Sequence, residues 1–184
     1  MKLTNQPKYK SQFMEDINQF RKLVSEQGSK RDYALINLLT SAGLRIYEAL
    51  CIRLSDCDNI HQTKKLLIGN VNSNMQRLVY LNDEVLSSLN DYIDDRNSYK
   101  PSSDNNYLFL SHRSTRLNRG EVNKIFVEYC KIAKLENIAL HQLRDFFIFD
   151  SLMKGYSMVE IAAMTGRKIN STLNDIPRFM KTLE

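Results

Sequence analysis

The segment from Lys30 to Ala42 constrains the fold most, because it is apolar on almost every side. A helix without a polar face has to lie at the centre of a domain, with other elements packed around it. Gly43 follows directly and predicts the end of this helix. The apolar residues of the segment are Tyr33, Ala34, Leu35, Ile36, Leu38 and Leu39.

Helical spacing of apolar residues recurs along most of the chain. The first predicted helix begins at Gln12 and ends at Gly28, and the ten residues before it are polar and predicted to be loose. Asn118 with Glu121, and Ser157 with Glu160, have the spacing of capping boxes and predict two helix starts. The remaining predicted helices cover about residues 45–52, 82–93, 118–133, 140–153 and 157–166.

Strand patterns are few and short. The apolar runs 66–68 and 78–81 flank a stretch rich in turn-forming residues, which predicts a hairpin, and a third short strand is predicted at 107–110. The elements do not alternate as β-α-β units, so we predict an α+β fold, mostly helical, with one small three-stranded antiparallel sheet. We expect a polar tail over 1–10 and a single domain over 11–184.

Charge and hydropathy exclude some classes of protein and favour one class of partner. The chain carries a formal charge of +5 with a pI of about 9.1, which suits a polyanion such as double-stranded DNA. It contains no apolar run of the roughly 18 residues that a membrane span needs. Its three cysteines lack the paired spacing of a metal site. These features predict a soluble, cytoplasmic protein.

Two motifs carry a resemblance to a known family. Gly43-Leu-Arg-Ile-Tyr-Glu48 follows the buried helix, and His141-Gln-Leu-Arg-Asp145 opens a later one. Together with the hairpin and helices between them, they resemble the catalytic domain of the tyrosine recombinases, or phage integrases. That family breaks a DNA strand by attack of a tyrosine on a backbone phosphate, without metal or cofactor.

The resemblance implies a set of phosphate-binding residues. Guanidinium groups suit the charge that develops on the phosphate oxygens, because they are planar, permanently charged and donate several hydrogen bonds. The implied roles are phosphate binding for Arg45, His141, Arg144 and Arg167, and support for Glu48 and Asp145.

Two family residues are missing from this sequence. The hairpin of the family presents a lysine as general acid, but Asn70 stands where it is expected and no lysine occurs between Leu66 and Leu81. The nucleophilic tyrosine is expected near Ile176, and no tyrosine follows Tyr156. Without a nucleophile the covalent route is closed. Lys64 and Lys65 would reach the site only in a different hairpin register.

Other basic residues are candidates for contacts with the DNA backbone. They are Lys64, Lys65, Arg113, Arg116, Arg119 and Lys168. We also expect no separate N-terminal domain that clamps the opposite DNA face, so binding should depend strongly on salt. The apolar stripe of the C-terminal tail suggests a second copy or a partner recombinase as an associate, or else packing on the chain's own core.

Three functions stay open at this point. The first is a DNA-binding member of the family that holds a phosphate without cleaving it, as a repressor, an accessory factor or a decayed recombinase. The second is an active recombinase whose tyrosine and lysine are displaced or supplied by another subunit. The third is a protein-interaction module that no longer binds DNA.

Overall fold

The computed structural model describes residues 6–69, 76–96, 105–113, 115–136 and 138–167. These segments form eight α-helices, one short 3-10 turn at Leu54–Cys57, and one two-stranded sheet. In chain order the elements are α1 (Gln6–Gln27), α2 (Lys30–Ser41), α3 (Ile46–Leu50), α4 (Ile60–Thr63), β1 (Lys65–Ile68), β2 (Arg77–Tyr80), α5 (Asp83–Arg96), α6 (Arg119–Ala133), α7 (Gln142–Met153) and α8 (Met158–Thr165).

The predicted central helix is confirmed. Nine of the twelve residues of α2 are buried, and the helix packs against α1, α3, α5 and α7. Ser29 starts it by accepting a hydrogen bond from the amide of Asp32 at 3.1 Å. Gly43 follows it at φ +63°, where an added Cβ would lie 2.3 Å from a ring carbon of Phe147. Only glycine fits there, so the chain turns sharply into α3.

The predicted hairpin is also confirmed. β1 and β2 pair antiparallel, with Ile68 opposite Arg77 and Leu66 opposite Val79. Directly opposed residues share one face of a sheet, and on this face Leu66, Ile68 and Val79 are buried. Arg77 therefore faces the interior of the domain. The turn of the hairpin, including Asn70, lies outside the described residues.

The prediction of a third strand at 107–110 is wrong, because the described part of the chain has only two paired strands. Tyr107 forms an isolated antiparallel bridge with Arg53. The backbone of this segment bonds to irregular chain and not to the hairpin, since Leu108 N donates to Ile52 O at 2.8 Å and Phe109 O accepts from Leu117 N at 2.9 Å. The buried Arg96 of α5 also donates to Tyr107 O at 2.9 Å and to Leu108 O at 3.1 Å.

The start of the first helix differs from the prediction. α1 begins at Gln6 rather than Gln12, so part of the expected tail is helical. Pro7 lies in the first turn, where its missing N–H and fixed φ favour a helix start. The C-terminal residues 168–184, which include Lys168, Ile176 and the apolar stripe, lie outside the described residues. Within the segments described, no helix has the length and apolar character to span a membrane.

Candidate functional site

The first part of the site is the turn that opens α3. Arg45 precedes the helix in an extended conformation, and Glu48 lies one turn later. Glu48 Oε2 accepts a hydrogen bond from the Arg45 amide at 2.6 Å, and Oε1 accepts one from Arg45 Nη1 at 3.0 Å. The Arg45 side chain is 46% exposed and that of Glu48 only 12%. The carboxylate therefore holds the arginine at the surface from beneath.

Arg77 of β2 binds the same carboxylate from the other side. Its Nη1 donates to Glu48 Oε1 and its Nη2 to Glu48 Oε2, both at 2.8 Å, which is a bidentate pair. Its Nε donates to the carbonyl oxygen of Met164 at 3.0 Å. One arginine thus joins the hairpin, α3 and the end of α8.

These partners keep Glu48 ionised in spite of its burial. Burial alone would raise the pKa of Glu48, but the hydrogen bonds from Arg77 and from the Arg45 amide lower it, as do the charges of Arg77 and Arg144. The net result is a pKa below the ordinary value. Glu48 is therefore a permanent negative charge among arginines at neutral pH.

Arg144 lies deepest in the site, in the first turn of α7, with 5% of the residue exposed. Its Nη2 donates to the carbonyl oxygen of Thr165 at 2.5 Å. Its Nε and Nη1 are buried and have no hydrogen-bond partner among the residues described. Buried polar groups in native proteins are normally hydrogen-bonded, so these two N–H groups are candidate donors to an anion.

Four guanidinium groups converge at this point. Burial, together with the positive charges of Arg167, Arg45 and Arg77, lowers the pKa of Arg144 to about 9, against the opposing effect of Glu48. Four arginines and one glutamate give a formal local charge of +3. Such a cluster is stable beside an anion and strained without one.

His141 and Asp145 flank Arg144 on α7. His141 is exposed, and its carbonyl oxygen accepts the Arg144 amide at 3.2 Å. Because it precedes Arg144 by three residues on a helical turn, the two side chains lie on neighbouring parts of one face. Asp145 is half-buried. The structure thus gathers the sequence-predicted residues Arg45, Glu48, Arg144 and Arg167, with His141 at the rim.

Arg77 is the residue that sequence reasoning missed. It is the only basic residue between Leu66 and Leu81, and it is two positions before the buried Val79 on a strand with period-two alternation. That spacing puts an arginine on the inner face of the hairpin. The sequence-based prediction considered only lysine in the hairpin and therefore did not include Arg77.

Lys64 and Lys65 do not enter the site. Lys64 Nζ pairs with Asp83 at 2.6 Å on the surface. Lys65 pairs with Tyr80 across the hairpin, and its Nζ lies 5.1 Å from the centre of that ring. Both Lys65 and Tyr80 are exposed, on the sheet face opposite to Arg77. The observed register therefore rules out either lysine as a replacement for the missing one.

The other basic candidates are exposed around the start of α6. Arg119 is the first residue of that helix, and Arg113 lies in the turn before it. Arg116 stacks over Tyr107, with its guanidinium carbon 5.0 Å from the ring centre. They add positive charge to the surface but are not buried like Arg144. The described residues hold no group of three or more His, Cys, Asp or Glu side chains that could bind a metal.

Comparisons with known proteins bear on this site. The sequence model of the phage integrase family matches residues 10–175. The chain is 38% identical over 159 residues to the TnP I resolvase of Bacillus thuringiensis, covering 86% of this chain and 54% of that protein. It is 34% identical over 137 residues to the tyrosine recombinase XerC of Caldanaerobacter subterraneus, covering 73% and 36%. The chain thus spans about half, or less, of the length of these relatives.

Solved structures show the same fold. XerA recombinase superposes with a TM-score of 0.78 at 24% identity, covering 88% of this chain and 58% of XerA. XerH recombinase, in a pre-cleavage complex with its difH substrate, superposes with a TM-score of 0.72 at 19% identity, covering 91% and 50%. At these identities the likeness establishes the mostly helical fold with its small antiparallel sheet.

Proposed function

The chain belongs to the phage integrase family, and on that premise we propose that it binds double-stranded DNA by holding a backbone phosphate between Arg45 and Arg144 without cleaving the strand. The observation that carries the proposal is that two buried donors of Arg144, Nε and Nη1, have no partner among the described residues. Relatives of the same fold are described in complex with DNA, among them XerH with difH and a lambda integrase tetramer with a Holliday junction.

The geometry suits a phosphodiester. Arg45 forms the outer part of the site and Arg144 the inner part, as their exposures show. A phosphate monoanion would partner Arg144 Nε or Nη1 and offset part of the +3 charge of the cluster. Hydrogen bonds to a charged group contribute about 1.5–3 kcal/mol each. Arg167 and His141 would add contacts from the two edges.

Cleavage lacks a nucleophile in this proposal. Ile176 stands at the expected tyrosine position and Asn70 at the expected lysine position. Tyr47 is the tyrosine nearest Arg45 in sequence, but a hydrogen bond with Cys51 raises the pKa of its exposed hydroxyl, which opposes ionisation. Tyr156 is exposed and lines a groove between β2, α7 and α8 that Arg77 also borders, so the trapping experiment below tests it as a nucleophile. The biological role would be that of a repressor or of an accessory factor for recombination, acting on DNA in the cytoplasm.

A binding titration tests the phosphate site. Loss of one charged hydrogen-bonding arginine, in Arg45→Ala or Arg144→Ala, should weaken binding to a DNA duplex about 10-fold or more. Lys22→Ala is the matched control, because Lys22 is 75% exposed on α1 and its ion pair with Glu26 is long, at 3.9 Å. Wild-type protein with no affinity for duplex at low salt would refute the proposal.

A trapping experiment tests the absence of cleavage. A nicked suicide duplex captures the phosphotyrosine intermediate of an active recombinase as a covalent protein–DNA adduct, and an active relative serves as the positive control. We expect no adduct with this chain alone. An adduct would show instead a working recombinase with a displaced tyrosine, and an adduct formed only with a partner recombinase would show a tyrosine supplied by another subunit.

We further propose that the chain associates with a second copy or a partner recombinase through its C-terminal tail. The tail carries Leu173, Ile176, Phe179, Met180 and Leu183 at near-helical spacing. The lambda integrase bound to a Holliday junction, a protein of the same fold, is a tetramer. Sedimentation of wild type and a Phe179→Asp variant, with and without DNA, tests this, and a monomer under both conditions would refute self-association.

A further inference from the structure

We propose that Arg77 is a positioning residue: by saturating the Glu48 carboxylate, it keeps the donors of Arg144 available for a phosphate. The inference rests on the proposed function, because it explains how the phosphate site stays open. It concerns a residue on the hairpin, the element that lacks the lysine of the family.

Glu48 accepts four hydrogen bonds. Oε1 accepts from Arg45 Nη1 and Arg77 Nη1, and Oε2 accepts from the Arg45 amide and Arg77 Nη2. A carboxylate offers about four lone-pair positions in total. Glu48 therefore has no acceptor position left for Arg144, although its charge acts on that guanidinium.

Arg77 supplies two of those four bonds. Without it, half of the acceptor positions of a nearly buried carboxylate would be vacant, close to two buried N–H groups of Arg144 that have no described partner. A hydrogen bond between Arg144 and Glu48 would remove two costs at once, because a buried unpaired carboxylate and a buried unpaired N–H group each destabilise the folded protein. Arg144 would then pair with Glu48, and a phosphate would have to compete with that pair.

Arg77 itself is not placed to bind DNA directly. All three of its nitrogen atoms donate within the protein, to Glu48 and to Met164 O, and its side chain is 13% exposed. It also packs on Gly166, where an added Cβ would lie 3.0 Å from Arg77 Nη1. Arg77 thus fixes the turn from which Arg167 reaches the cluster.

A double-mutant cycle tests the proposal. The proteins are wild type, Arg77→Ala, Glu48→Gln and the double variant, with Lys22→Ala as the control for loss of one positive charge. Arg77→Ala should weaken duplex binding about 10-fold or more in the wild-type background. In the Glu48→Gln background the same change should weaken binding less than about three-fold, because a neutral amide holds Arg144 far less strongly than a carboxylate.

The cycle also separates the competing explanations. An equal loss in both backgrounds would mean that Arg77 contacts DNA or only supports the fold, and no loss in either would mean that it has no role; both results overturn the proposal. If Arg77→Ala does not fold, as judged by thermal unfolding, Arg77→Lys replaces it. Lysine keeps the charge but cannot form the bidentate pair, so its loss should be smaller and again relieved by Glu48→Gln.

A measurement without DNA keeps this inference distinct from the proposed function. In the free protein, the side-chain Nε–H resonance of Arg144 should shift and become protected from solvent exchange in Arg77→Ala but not in the double variant. That result would support the positioning role even if wild type failed to bind duplex. An unchanged Arg144 resonance in Arg77→Ala would overturn it.

Discussion

Replacing Arg144 by methionine should stabilise the free protein while it weakens binding to DNA about 10-fold or more. Each buried donor without a partner costs about 1–3 kcal/mol, and Arg144 carries two of them among the described contacts. Its one side-chain hydrogen bond to a described residue, from Nη2 to Thr165 O, contributes about 1.5–3 kcal/mol. Methionine fills an irregular space without introducing polar atoms. We therefore expect the free energy of unfolding to rise by about 1–3 kcal/mol.

Urea unfolding at neutral pH and low ionic strength measures this difference. Thermal unfolding checks the same difference, because each kcal/mol of stability shifts the melting temperature of a chain of this size by about 2–4 °C. Added sulfate should stabilise wild type more than Arg144→Met, because an anion that occupies the site shifts the folding equilibrium. A variant less stable than wild type would refute the reasoning, since it would mean that the guanidinium is well partnered in the free protein.

The same pair of proteins has a predictable pH dependence. Burial, together with the neighbouring arginines, lowers the pKa of folded Arg144 to about 9, below its value of 12.5 in the unfolded chain. Between these values the unfolded state binds more protons, so the stability of wild type rises with pH relative to the methionine variant. The advantage of Arg144→Met should thus be full below pH 9 and should shrink above it.

Two further predictions concern the scaffold, and chemical unfolding measures both. Gly43→Ala should destabilise the protein far more than Gly155→Ala. Both glycines have positive φ, but an added Cβ would lie 2.3 Å from Phe147 at Gly43 and would meet nothing within 4 Å at Gly155. Equal losses of stability in the two variants would contradict the packing argument. Tyr129→Phe should cost about 1–3 kcal/mol, because the hydroxyl donates to the buried carboxylate of Asp32 at 3.1 Å. Burial, with Asp32, raises the pKa of Tyr129 to about 12, so this stabilisation should be full below pH 10 and lost as pH rises through 12.

Most of the fold follows from local patterns in the sequence. The helix α2 is apolar on almost every side and therefore had to be central. The side chains of Asn82, Asn118 and Ser157 each accept a hydrogen bond from a backbone amide in the first turn of a helix. Such signals lie within a few residues of what they specify. The supposed third strand failed because its backbone forms only isolated bridges, with Arg53 and Arg116, and no local pattern encodes how short that pairing is.

The site was predictable to the extent that its motifs are contiguous. Arg45 with Glu48, and His141 with Arg144, each occupy one helical turn, and the structure shows the first pair in contact. Arg77 belongs to the same cluster only because the hairpin folds onto α3 and α8. Its inward position on β2 was readable from the alternation, but its partner Glu48 is 29 residues away. The burial of two Arg144 donors away from any partner in the described part of the chain is a result of packing and has no sequence signature.

A crystal structure of the protein with a short DNA duplex tests the central claim most directly. We predict a backbone phosphate with one oxygen at about 3 Å from Arg144 Nε or Nη1, Arg45 bound to the same phosphate, and Glu48 still paired with Arg77. A complex in which the DNA backbone lies away from the cluster, with Arg144 still unpartnered, would contradict it.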